Sequence, residues 1–139
     1  MELNPAKARR ERREHELVEM EAFRTVRRVA DQELREMASI APSSAAVAAA
    51  QAALEAATTA EAVVALEPLV RRAGSVLGVD VREDATVRIA DRAVSWSEVD
   101  GSYEGVVAAA RAAQFGRTPD QRHVDVTRAK WKDQERPRI

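Results

Sequence analysis

Carboxylates are the chemistry-bearing side chains that this sequence groups most closely, at Asp80-Val81-Arg82-Glu83-Asp84 and at Asp100-Gly101-Ser102-Tyr103-Glu104. Grouped carboxylates can hold a divalent cation or act as an acid–base pair, and either task needs a defined spacing. The second group opens like a calcium loop but has neither the loop length nor the closing bidentate Glu. Read as plain structure, the first group solvates a turn and the second is a turn followed by a helix cap at Ser102. His15 and His123 are the only histidines, and each stands among charged residues without a second ligand at helical spacing. That pattern suits a surface histidine better than a base or a metal ligand. The chain has no cysteine, which excludes disulfides, thiolate metal sites and cysteine nucleophiles. It also lacks a P-loop, a dinucleotide fingerprint and a serine nucleophile elbow. The expectation is a protein that is not an enzyme and carries no cofactor and no metal.

The other charged chemistry is basic and lies at the ends. Residues 1–13 carry a net +3, with Arg9, Arg10, Arg12 and Arg13 next to Lys7, and residues 117–139 carry another +3. The stretch between them therefore carries −7. Arg9, Arg10, Arg12, Arg13, Lys130 and Lys132 are the candidate contacts to phosphates or to an acidic partner. Three features weigh against a nucleic-acid reader. Glu11, Glu14 and Glu16 interrupt the first cluster, the pI is near 6.2, and an acidic middle repels a polyanion. Trp131, between Lys130 and Lys132, is the kind of aromatic anchor that interfaces use; a tail folded back on its own domain would bury it equally well.

Long helices must position these groups. Asn4-Pro5 is a helix start, with Asn as N-cap and Pro in the first turn. Nothing breaks the pattern before about Ala38, which predicts a helix about 50 Å long. In its second half Val18, Ala22, Val26, Val29, Ala30, Leu34 and Met37, with Phe23, fall within about 160° of arc. This stripe, above all Val18, Ala22, Val26, Val29 and Leu34, is read as an interface. The first half has no apolar face, and the pairs Lys7/Glu11, Arg10/Glu14 and Arg12/Glu16 support it weakly. It is expected to project as a charged arm.

Pro42 then ends one helix, and Ser43 or Ser44 caps an Ala-rich second helix running to Ala57. Thr58-Thr59-Ala60-Glu61 reads as a capping box, so a third helix starts near Thr59. Pro68 should kink or restart it, and Gly74 should stop it. Past Gly78 the hydrophobic period changes to two, at Val79-Asp80-Val81, Thr86–Ile89 and Ala93–Trp96, which predicts a hairpin or a small meander. A short helix from Ser102 to Phe115 and a polar, basic tail complete the chain.

The fold class is thus mainly α (α+β), with three parts: 1–38, a long helix with a charged arm; 39–116, a compact helical body with a hairpin at about 79–96; and 117–139, an extended basic tail. Hydrophobic residues make up 45% but aromatics only 4%, so the core is thin for such long helices and partners are expected to help bury them. No apolar run approaches the ~20 residues of a membrane span, and residues 1–16 are charged rather than signal-like. The expected location is the cytoplasm, or a particle assembled there, with no membrane partner. The leading functional reading is a structural or adaptor subunit of a symmetric assembly, homo-oligomeric or larger. Virions and phage head–tail complexes are the class of assembly, by analogy alone. The alternative is an accessory nucleic-acid-binding protein acting through its basic ends.

Overall fold

The computed structural model describes residues 4–78, 80–83 and 85–115. Its first helix, α1, spans Pro5–Ile40, 36 residues, or about 54 Å. Asn4 caps it through Oδ1, which accepts from the Ala6 and Lys7 backbone N–H groups at 3.0 and 3.2 Å. The helix outruns its expected end by two residues. A break at 41–44 leads to α2, Ala45–Ala56, capped by Ser44, whose Oγ accepts from the Val47 N–H at 3.2 Å.

Thr59 caps α3, Ala60–Ala65, by accepting from the Ala62 N–H at 3.1 Å. The capping box is corrected by this placement: with Thr59 as the cap, Glu61 falls one position too early to reach back. The chain restarts at Leu66, and α4 covers Glu67–Leu77 with Pro68 in its first turn, where a missing N–H is tolerated. Gly74 does not end this helix. It is buried within α4, and Gly78, at φ +67°, makes the left-handed exit.

Strands β1 (Thr86–Ile89) and β2 (Arg92–Ser95) pair antiparallel, with Val87 opposite Val94 and Ile89 opposite Arg92. Ala90 takes φ +54° in the tight connection, a conformation that Gly or Asn adopts more readily. Among the described residues there is no third strand. Asp80–Glu83 is a turn in which the Asp80 carboxylate accepts from the Arg82 N–H at 2.9 Å, so the apparent alternation there came from an Asx turn. Trp96 does not continue β2; it opens a 3₁₀ turn over Trp96–Val99. Ser102 caps the last helix, α5, Tyr103–Phe115, accepting from the Gly105 N–H at 3.0 Å.

The core is one apolar cluster running from α1 to the hairpin and α5. Ala22, Val26, Ala30 and Leu34 of α1 are fully covered, and Val18 and Val29 nearly so. The elements that pack on α1 are α5, α3 and α2 of the same chain. The stripe read as an interface is therefore internal. Apolar periodicity shows that a face is covered, and it cannot show whose atoms cover it. The body itself starts on α1: from Pro5 to Leu17 no side chain of α1 is buried, and Val18 is the first that is. The pairs that close on α1 are Glu21–Arg24 and Asp31–Arg35; those expected along the arm do not.

Candidate functional site

The densest polar arrangement lies inside the body. Glu33 stands on the apolar stripe of α1, one turn after Val29 and one before Met37, and its side chain is only 7% exposed. A carboxylate cannot stay there unpaired. Arg82 meets it from the turn before β1, giving Nε to Glu33 Oε2 at 2.7 Å and Nη2 to Oε1 at 3.1 Å. Such a two-pronged pair is the strong geometry for guanidinium and carboxylate. The same Nη2 reaches Glu67 Oε2, at the start of α4, at 2.7 Å. Nη1 donates to the Gly101 carbonyl at 2.6 Å, and Arg71 donates to that same oxygen at 2.6 Å.

Tyr103 completes the cluster. Its hydroxyl donates to Glu33 Oε1 at 2.6 Å and its backbone N–H to Glu67 Oε1 at 3.1 Å. The Arg82 guanidinium lies 4.0 Å above the Trp96 ring and 5.1 Å from that of Tyr103, so aromatic contact is added to the ion pairs along its edge. The backbone prepares this meeting. Asp100 and Gly101 are both left-handed, at φ +57° and +61°, and the chain reverses between the 3₁₀ turn and α5.

The electrostatics follow from this enclosure. Burial pushes the Tyr103 phenol well above its ordinary value, and the charge and hydrogen bond of Glu33 add to the push. For Arg82, burial works against the cation, but the hydrogen bonds and charges of Glu33 and then Glu67 outweigh it and raise its pKa further. Among the described residues no buried side-chain nitrogen or oxygen lacks a partner. Each polar atom of the cluster already faces another, so the arrangement ties α1, α4, the 80–83 turn and the start of α5 together. It is a clasp.

A second, outer network has the same form. Arg111 of α5 gives Nε and Nη2 to Glu19 of α1 at 3.1 and 3.0 Å, and Nη2 to Glu61 of α3 at 2.6 Å. The Glu61 carboxyl is held below the usual range by its own backbone N–H and by Arg111. Among the described residues no group of three or more His, Asp or Glu converges as a metal would need. No helix there is long and apolar enough to cross a membrane.

On the far side of α1 from the core, Leu17, Met20, Arg24, Arg27 and Asp31 follow at spacings of three and four. Leu17 and Met20 are 50% and 43% exposed. Beside them a groove of about 620 Å³ runs between α1 and α2, lined by Arg24, Arg27, Arg28 and Arg35 with Asp31 and Glu55. Arg27 has no ion-pair partner among the described residues.

Family models, curated proteins and solved structures return no match to this chain. The geometry alone has to carry a function.

Of the residues singled out from the sequence, Val18, Ala22, Val26, Val29 and Leu34 come together in the core. Arg9, Arg10, Arg12 and Arg13 lie exposed on the arm of α1. Trp131, Lys130 and Lys132 lie outside the described residues. The clasp of Glu33, Glu67, Arg82 and Tyr103 was not anticipated. One signal for it was legible: Glu33 is a charge on an otherwise apolar stripe.

Proposed function

We propose that this chain is a non-enzymatic structural or adaptor subunit, which assembles with copies of itself and with further subunits through the outer face of α1. The observation that carries the reading is the reach of that helix. Among the described residues, its first thirteen, Pro5 to Leu17, bury no side chain, so the packed body gives its outer turns little support. Most helical stability in proteins comes from packing a face, and a projecting helix gains that support from a partner. Leu17 and Met20, exposed where the arm meets the body, are the apolar centre of such a contact, with Arg13 and Arg24 one turn to either side. The particle class, a virion or phage head–tail complex, remains a class-level analogy.

A second reading rests on a separate observation. The arginines of the α1–α2 groove add to Arg9, Arg10, Arg12 and Arg13 along the same helix, and together they would suit the phosphates of a nucleic acid. Light scattering of the chain with and without duplex DNA, at low and high salt, separates the two. Assembly through Leu17 and Met20 gives particles larger than one chain at both salts, without DNA. Binding that needs DNA and falls steeply with salt would replace the first reading by the second.

A further inference from the structure

The hairpin and α5 enclose a second groove, of about 570 Å³, that the clasp and the arm do not use. Its apolar lining comes from Val94 and Val99 and from one face of α5, Ala109, Ala112 and Ala113, and it carries Asp91, Arg92 and Glu98 as well. Arg92 and Glu98 approach at 3.8 Å and both are largely exposed, which leaves Asp91 as the excess charge. Alanines along one wall let a flat side chain lie close to the helix backbone.

We propose that this groove seats the chain's own C-terminal segment, 117–139, with the Trp131 indole on the alanine face of α5. Three observations converge on that occupant. The groove lies at the last turns of α5, where Ala112 and Ala113 line it, and the segment continues directly from there. The fifteen residues from Gly116 to Lys130 span up to about 50 Å when extended, more than is needed to double back over one helix and a hairpin. The segment is net +3 and its Trp131 sits between Lys130 and Lys132, while the groove is net acidic and apolar. Attachment also favours this chain's own segment over a neighbour's, because a tethered group is present at an effective concentration on the order of millimolar. The inference is independent of the assembly reading, which uses α1.

The test uses the full chain labelled with 5-fluorotryptophan, which gives one fluorine resonance from Trp96 and one from Trp131, assigned with Trp131→Phe. The expected result is a Trp131 resonance displaced from its position in the urea-unfolded chain and unchanged on dilution. Ala112→Lys and Asp91→Lys should each return it toward the unfolded position, with the Trp96 resonance unmoved as proof that the body is intact. A Trp131 resonance at the unfolded position in the native chain overturns the proposal. So does a displacement that both variants leave untouched, which would seat the indole elsewhere. A displacement lost on dilution overturns it too, since the groove would then be taking the segment of a second copy.

Discussion

Tyr103, the only tyrosine of the chain, gives its hydroxyl proton to Glu33 over 2.6 Å and so joins α5 to α1 across 70 positions of sequence. The bond decides how the phenol titrates. Burial first, and the Glu33 carboxylate second, hold its pKa above the ordinary value of about 10. A tyrosine whose pKa is raised by folding contributes stability that is complete below the unfolded-state value and is lost as pH rises beyond it. The expected outcome of an alkaline titration is that tyrosinate absorbance and loss of helical circular dichroism rise together, well past pH 10. A tyrosinate that forms with an ordinary midpoint while the helix signal is intact would refute the enclosed geometry.

Arg82 is the cation on which the clasp turns. Arg82→Ala leaves Glu33 buried without its counter-charge, while Glu67 keeps only the longer pair to Arg71 at 3.6 Å, and removing one partner of a buried ion pair costs about 3–5 kcal/mol. Arg82→Lys should recover little, because an ammonium cannot reproduce the fork to Glu33 or the stacking on Trp96. Arg82→Met combined with Glu33→Leu should regain much of the loss. Urea midpoints of the variants check the order; a loss near the ~0.5 kcal/mol of a surface change for Arg82→Ala would contradict it.

Gly105 makes a steric prediction. A Cβ built on it would stand 1.8 Å from the backbone oxygen of Val99, and a carbonyl cannot swing aside as a side-chain tip can. Although Ala is the better helix former, Gly105→Ala should therefore destabilise, by about 1–3 kcal/mol or more. Thermal melts of this variant beside Ala108→Gly, on the exposed side of α5, show whether close approach or propensity dominates.

The elements were legible where local chemistry fixes them. Asn4, Ser44 and Ser102 each cap the helix expected of them, and the cap of α3 falls on Thr59, one residue past the expected box, because capping needs only residues within a few positions. The two glycine readings around α4 show the limit. Gly74 and Gly78 look alike in sequence, and only tertiary packing makes one a buried helical residue and the other the left-handed exit. The clasp was opaque for the same reason. Glu33, Glu67, Arg82 and Tyr103 lie 15 to 70 positions apart, and nothing in their neighbours announces that they meet. The stripe of α1 was correctly seen as covered, but the cover is the chain's own α2, α3 and α5.

The central claim is that the outer face of α1 joins copies of this protein, and its most direct test is a mass. Sedimentation equilibrium should give the native chain a mass that is a multiple of 15.3 kDa. Leu17→Glu combined with Met20→Glu should reduce it to a single chain while leaving the melting of the body in place, since both side chains are about half exposed and neither belongs to the core of the isolated fold. A native chain that sediments at 15.3 kDa across the accessible concentrations, or an oligomer that the double variant leaves unchanged, would contradict the account.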